Sequence, residues 1–371
     1  MRSPPHSNLP PTPLEAIERI LIETLLPAEA QAQFATGAIG AETLRPIANH
    51  ITELSARYTS RRGIAIDSVA AATAYALYYT PINAAKILHL LSRPGIVPPE
   101  TTPLRVLDYG AGPGTGALAL VAALNRPLEI VAVDASPAMR TVASRLLERA
   151  RLSRSVSAPP VTWRVETDFV GHFDLIVAAN VLNELPEEPG AARLERLSAA
   201  LTDSGTLITL EPALLEATQA HMRARDSLLT RHPDLTPIFP CTQRDSCPMV
   251  RAEPTNWCHG SLTWNAPQIV RQLDALTGFN KHRTKYSAFV FRRGAALQAG
   301  LRIVSPVEKS GRGVTATGCG PGFYGPIILP KRNRTDANRV FGRIDVYDRV
   351  TIDPFDPSGV IAPSASVLIA P

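Results

Sequence analysis

Between Leu104 and Leu120 the chain reads LRVLDYGAGPGTGALAL. Leu104, Val106 and Leu107 form a buried-strand run that ends at Asp108, then Gly110, Gly112, Gly114 and Gly116 follow, and an Ala/Leu run of helix-forming composition closes the stretch. This is a strand, a tight turn and a helix. Glycine recurs in such a turn because only a residue without Cβ takes positive φ freely and lets a ligand lie close to the backbone. The free N–H groups at the helix start then receive the ligand's polar end. The spacing differs from that of dinucleotide-binding turns, whose last glycine stands three residues after the second.

The pattern Asp108-x-Gly110-x-Gly112-x-Gly114 resembles the first motif of S-adenosylmethionine-dependent methyltransferases. Downstream, Ile130 to Val133 is a second strand ending at Asp134, followed by Ala135; an acid about 20 residues past the turn can accept hydrogen bonds from both ribose hydroxyls. Thr162 to Val165 is a third strand, and its acidic end, Glu166-Thr167-Asp168 before Phe169, faces the adenine amine if the resemblance holds. Phe173 to Asn180 and Gly205 to Pro212 complete five strands that alternate with helical runs, so the expected fold is α/β, a class I (Rossmann-like) methyltransferase sheet with helices on both faces. The resemblance implies a cofactor-binding set of Asp108, Gly110, Ala111, Gly112, Gly114, Asp134, Ala135, Asp168, Phe169 and Asn180.

Around this core the chain reads as five segments. Residues 1–12 lack the apolar stretch of a secretory signal and read as a disordered leader in a reducing compartment. Residues 13–100 read as a helical cap, with helices over Pro13 to Leu26, Ala41 to Thr59 and Ile66 to Leu91, the last interrupted at Pro81. Tyr75, Tyr78, Tyr79 and Pro81 are candidates for closing the cleft, with core packing as the plainer role. Residues 101–215 form the core, 216–350 a basic C-terminal subdomain carrying a metal cluster and the last sheet strands, and 351–371 a Pro-rich tail. No stretch is long and apolar enough to span a membrane, so no membrane partner is expected.

All four cysteines follow the core: Cys241, Cys247 and Cys258 within 18 residues of sequence, and Cys319 in TGCGPGFYG. Without a secretion signal a disulfide framework is not expected, whereas thiols on glycine- and proline-rich loops suit metal ligation. Zinc sites usually show paired Cys-x-x-Cys knuckles, which are missing here; an iron-sulfur cubane accepts irregular spacing, and spacing alone leaves the two open. His259 is a spare ligand or makes a local hydrogen bond, and His221 and His232 read as surface residues.

The run from Pro240-Cys241 to Cys247-Pro248, then Trp257-Cys258-His259, then a basic strand before Cys319, resembles the mitochondrial-type small-ribosomal-subunit methyltransferase-like family. Leu54-Ser55-Ala56-Arg57-Tyr58, the block Ala74 to Leu77 with Pro81, and Leu107 to Thr115 share that likeness, which covers Ile51 to Tyr347. It implies bound S-adenosylmethionine and a 4Fe-4S cluster on the four cysteines, with zinc as the alternative metal. It also implies association with small-subunit ribosomal RNA during assembly, in the cytoplasm or, in a eukaryote, the mitochondrial matrix. The chain departs from the family pattern at Gly260, where members carry an aromatic residue, and in the basic run Lys281 to Lys285.

Charge supports a polyanionic partner, with a solvated basic surface as the plainer role; the resemblance makes that partner RNA and not DNA. From Lys281 to Arg349 there are fourteen Lys and Arg against four Asp and Glu, whereas the whole chain is only +5. Lys331, Arg332, Arg334, Arg339 and Arg343, near Phe323, Tyr324, Phe341 and Tyr347, mix charge with stacking groups suited to RNA. Catalysis is less legible. Fourth-strand motifs of amine methylation end in Pro-Pro-aromatic, but this chain has Asn180, Asn183 and Glu184, which either orient a substrate or cap the next helix. Cofactor binding is therefore better supported than turnover. Two other readings stand beside the ribosomal one: a methyltransferase acting on a small molecule or peptide, and a non-enzymatic zinc-containing RNA-binding scaffold.

Overall fold

The computed structural model describes residues 12–60, 66–98, 102–184, 187–253 and 255–370; all of the expected leader except Thr12 lies outside them. The chain divides into two units, each assembled from separated stretches: Met1–His89, Ala111–Asp168 and Thr263–Arg283 in the first, Leu90–Gly110, Phe169–Leu262 and Thr284–Pro371 in the second.

Helices α1 (Pro13–Leu25), α2 (Ala28–Thr36), α3 (Ala41–Ser60) and α4 (Val69–Leu91) belong to the first unit. α1 begins at a full set of start signals. Thr12 Oγ1 accepts the Glu15 N–H at 3.3 Å, the Glu15 carboxylate accepts the Thr12 N–H at 2.7 Å, and Pro13 takes the first helical position. Periodicity leaves α2 unassigned because it buries only Ala30. Pro81 does not interrupt α4, contrary to the sequence expectation. Leu77, Tyr78, Thr80, Ala84 and Ile87 are all buried, so packing around the circumference holds a backbone that has lost one hydrogen bond.

Strand β1 (Leu104–Tyr109) leads through the glycine turn into α5 (Thr115–Ala123), and β2 (Leu128–Val133), α6 (Pro137–Leu152) and β3 (Val161–Glu166) follow. In the first unit β2 and β3 are parallel, with Ile130 opposite Trp163 and Val133 opposite Glu166. α5 is buried from Thr115 to Val121, which is why its composition is apolar without an amphipathic period. α1 packs on both α5 and α6.

Next come β4 (Phe173–Ala179), α7 (Glu187–Ala199), β5 (Leu201–Pro212), α8 (Leu215–Arg231), β6 (Leu235–Phe239), α9 (Pro248–Ala252), β7 (Gly260–Thr263), α10 (Gln268–Thr277) and β8 (Arg283–Arg293). In the second unit the strands are ordered β1-β4-β5-β8-β6. β1, β4 and β5 are parallel, and β8 is antiparallel to both β5 and β6. β4 is buried at its first six positions, so it reads in sequence as a continuous apolar run, as a strand covered on both faces must. The fold is α/β and Rossmann-like. α10 packs on α3 in the first unit, where Tyr78 donates to Asp274 at 2.6 Å and Glu18 accepts the Ile269 N–H at 2.7 Å.

Strands β9 (Leu301–Ile303), β10 (Glu308–Ser310), β11 (Gly313–Gly320), β12 (Phe323–Pro330), β13 (Arg349–Asp353) and β14 (Ser366–Ala370) build a second sheet in the order β10-β11-β9-β13-β14, with β12 on the free side of β11. Ile303, Ile327, Leu329, Phe341, Val350 and Val367 form its core. The Pro-rich segment from residue 351, whose fold the sequence leaves open, joins this sheet: β13 crosses that boundary and pairs with β14 from Arg349 opposite Ala370 to Asp353 opposite Ser366. Ile361, Ala365 and Val367 are buried; prolines at 354, 357 and 363 break the segment into pieces too short to show a period.

Candidate functional site

In the first unit the glycine turn is closed by backbone bonds from Ala111 to Val133 at 2.9 Å and from Gly114 to Ala111 at 2.9 Å. The Asp134 carboxylate spans the turn and the next helix: one oxygen accepts the Gly112 N–H at 2.8 Å, the other the Ser136 N–H at 2.8 Å. Ser136 in turn caps α6, accepting the Met139 N–H at 3.2 Å. Burial raises the Asp134 carboxyl above its ordinary range against the pull of these two N–H groups and Arg140. Asp134 thus fixes the turn, a task that the strand-end pattern did not reveal. A Cβ on Gly112 would meet only Tyr75 Cε1, at 3.9 Å, so the space over that glycine is open and edged by a tyrosine. Tyr75 packs on Tyr79 at 5.0 Å between ring centres, and Tyr79 on Tyr58 at 6.0 Å, while Tyr78 is fully buried. Ala135 and Asp168 are exposed.

In the second unit Asp108 is buried at the carboxyl end of β1, and Gly110 follows at φ 65°. A Cβ on Gly110 would fall 2.5 Å from Val181 Cγ2, so glycine is required there by close approach. Phe169 is buried edge-on to Tyr109, with the Arg196 guanidinium over its ring at 4.2 Å. Asn180 takes φ 56°, a left-handed conformation that asparagine tolerates, and its N–H bonds Leu210 O at 2.7 Å.

Glu211 organises the loop after β4, and sequence reasoning missed it. Its carboxylate accepts the Leu182 N–H at 3.0 Å and the Asn183 N–H at 3.1 Å, and the Asn183 amide, turned nitrogen-inward, donates to it at 2.7 Å. A lone glutamate at the end of an apolar strand was the only available signal. Burial pushes its carboxyl up to about 8, outweighing the two N–H donors. The folded chain therefore holds this proton more tightly than the unfolded chain, and stability falls as pH rises from about 4.5 towards 8. Glu211→Gln is expected to flatten that slope by ~1 kcal/mol or more between pH 5 and 8. Melting temperatures of both proteins across that range check this, and parallel curves would refute it.

The four cysteines line one cavity in the second unit, together with Arg225, Pro240, Phe289 and Arg302. Cys247 sits just before α9, Cys258 just before β7, and Cys319 on β11 opposite Tyr324. Burial first, then repulsion from Cys241, raises the thiols of Cys247, Cys258 and Cys319. Burial thus disfavours the charged thiolate at all three positions. Among the described residues no group of three or more His, Cys, Asp or Glu side chains is arranged to hold one metal ion. His259 turns aside, with Nδ1 3.2 Å from Trp257 O and its ring stacked on Trp257. His221 is not a surface residue: it is buried between Ser287 Oγ at 3.1 Å and Thr209 Oγ1 at 2.8 Å. His232 is half-buried and pairs with Glu195. The departure at Gly260 also has a cause, since a Cβ there would lie 2.5 Å from the Tyr347 hydroxyl; the Tyr347 ring fills that space from another strand connection.

The basic stretch is smaller than its charge count suggests. Arg292 and Arg293 are spent on Thr206, Ile96 O, Asp234 and Ser198 O, and Arg302 is buried. Arg283, Lys285, Lys309, Arg312, Lys331, Arg332, Arg334, Arg339 and Arg343 remain exposed, whereas Phe341 and Tyr347 are buried and unavailable for stacking.

The strand order and the glycine turn define a class I methyltransferase-like protein. Residues 69–322 match the family described as mitochondrial small ribosomal subunit Rsm22, and the chain belongs to that family. The matched segment runs from the first residue of α4 to the turn after β11 and contains all four cysteines. No curated protein matches the chain. Among solved structures it is similar to magnesium protoporphyrin IX methyltransferase from Synechocystis, at 14% identity over 69% of this chain and 99% of that one, with a TM-score of 0.37. A methyltransferase from Pyrococcus furiosus matches at 14% identity over 58% and 83%, TM-score 0.36, and a plantazolicin methyltransferase at 10% over 75% and 98%, TM-score 0.36. At these scores the likenesses add nothing to what the strand order establishes. No described helix is long and apolar enough to cross a membrane.

Proposed function

We propose that the protein binds S-adenosylmethionine at the glycine turn, carries a 4Fe-4S cluster on Cys241, Cys247, Cys258 and Cys319, and works on or with small-subunit ribosomal RNA during ribosome assembly. The observation that carries this reading is the gathering of those four thiols around one cavity, all within the segment matched by a small-ribosomal-subunit family. The donor set fits the cluster: four sulfur ligands on one cavity, Cys247 buried and the other three half-buried, with the Arg302 guanidinium on the same wall to offset a negative charge. On the cofactor side, Asp134 takes the ribose and the open space over Gly112 the amino acid end, with Asn180, Asn183 and Glu184 as the candidates for orienting the acceptor. Methyl transfer from a sulfonium is a direct displacement, so these residues need only align donor and acceptor and take up a proton. Localisation follows the family, in the mitochondrial matrix for a eukaryotic source and the cytoplasm otherwise.

The test is protein purified without oxygen, assayed for iron and sulfide, titrated calorimetrically with S-adenosylmethionine, and incubated with methyl-labelled cofactor and small-subunit RNA. About four irons per chain, cofactor binding and label in the RNA support the reading in full. One zinc per chain, or label only in small molecules, overturns the cluster or the RNA part respectively. Lys331, Arg332 and Arg334 lie outside the matched segment, so their RNA role rests on charge and exposure. Changing all three to Ala is expected to weaken small-subunit RNA binding and to reduce the slope of log affinity against log salt by about two. An unchanged slope in a filter-binding salt series would remove them from the interface.

A further inference from the structure

Two arginines on the cysteine cavity wall are among the most buried side chains of the protein, Arg225 at 1% and Arg302 at 3% exposure. Arg225 is a staple. It donates to the carbonyls of Arg244 at 3.3 Å and Asp245 at 2.6 Å and to Gln243 O, all between Cys241 and Cys247, and it pairs with Asp226. Asp226 also accepts the Cys247 N–H at 3.1 Å, so Arg225 has its counter-ion.

Arg302 does not. It stands on β9 directly opposite Cys319 of β11, and its Nε donates to the carbonyl of Pro240, the residue before Cys241, at 2.7 Å. A second bond, at 2.5 Å, goes to Tyr347 O. Both acceptors are neutral carbonyls, and among the described residues no carboxylate forms an ion pair with Arg302. Arg93 and Arg349 add repulsion, and the groups acting with opposite sign are Asp348 and Cys241. A buried cation with no bonded anion is costly and persists only where something compensates it. Here it bridges the first and last cysteines of the set, which are 78 residues apart in sequence.

We infer that Arg302 is a positioning residue whose fixed positive charge offsets the negative charge of the thiolate-bound cluster and favours its reduced form. This rests on the cluster reading above. A cubane with four thiolates is a dianion when oxidised and gains a further negative charge when one electron arrives from a reductant. A cation held on the wall therefore stabilises the reduced state more than the oxidised one. Arg225, already neutralised by Asp226, contributes mainly geometry.

The experiment uses full-length protein prepared without oxygen as wild type, Arg302→Gln and Arg302→Lys. It measures iron and sulfide per chain and, by electron paramagnetic resonance, the midpoint of a dithionite titration. Arg302→Gln is expected to disfavour reduction at least tenfold, about 59 mV to the negative for one electron, or to lose its iron; Arg302→Lys is expected to stay near wild type in both. An Arg302→Gln protein with full iron and an unshifted midpoint overturns the inference. So does an Arg302→Lys protein that loses iron or solubility as completely as Arg302→Gln, because carbonyl bonding and not charge would then be the requirement. Wild-type protein without iron and sulfide removes the cluster reading itself, a separate and distinguishable failure.

Discussion

Cys258→Ser protein purified without oxygen is expected to hold less than about one iron per chain where the wild type holds about four, and to lose the absorption band near 400 nm. The expectation follows from where the thiol sits. Cys258 lines one cavity with the other three cysteines, where burial strongly favours the neutral thiol; on the cluster reading proposed above, the metal draws off its proton. A serine hydroxyl is far harder to ionise and, on that reading, removes one of the four ligands. Partial loss of solubility is expected as well, since the loop from Cys241 to Cys258 is short of regular structure apart from the five-residue α9. Iron, sulfide and zinc counts on the soluble fraction decide the matter. Wild-type metal content in the variant would eliminate Cys258 as a ligand.

Gly110→Ala is expected to lower S-adenosylmethionine affinity by a hundredfold or more and to reduce stability by ~2 kcal/mol or more, because two costs add. Alanine at φ 65° carries ~1 kcal/mol of backbone strain, and its Cβ would lie 2.5 Å from Val181 Cγ2. Val181 cannot yield cheaply, since it lies between Asn180, already in a left-handed conformation, and Leu182, whose N–H is bound by Glu211. Gly112→Ala is the contrast. Its Cβ meets only Tyr75 at 3.9 Å, so the fold pays the strain alone, while the new methyl enters the open space over the turn. Its affinity loss should therefore exceed its stability loss. Calorimetry with the cofactor and thermal unfolding separate the two effects, and Val181→Ala should partly rescue Gly110→Ala. Equal affinities in all four proteins would move the cofactor off this turn.

The parts of the fold that were legible in the sequence are those where local chemistry and tertiary role coincide. The apolar period of α1, the buried run of β4 and the glycine turn each carry their own signal. Pro81 misled because a rule about backbone hydrogen bonds was overridden by burial around all of α4. His221 misled because a polar side chain on a helix gives no sign that Ser287 and Thr209 wait for it inside. Glu211 was visible as a residue and not as a role, since its partners are backbone N–H groups nearly thirty positions away. The same limit applies to Arg302, whose cross-strand neighbour Cys319 is fixed by sheet register and not by spacing. Charge counting overestimated the basic face because it could not separate arginines that bond carbonyls internally from those facing solvent.

The interleaving of the two units bears on how this protein can be dissected. The backbone passes between them five times, so no single cut separates one from the other. A fragment ending near residue 215 would hold the glycine turn but lack α10, which gives Glu18 and Tyr78 their partners. A fragment beginning at residue 216 would keep all four cysteines but lose β5, the strand against which β8 pairs. Binding maps drawn from truncations would thus report collapse in place of lost contacts. Point substitutions are the informative operations on this chain.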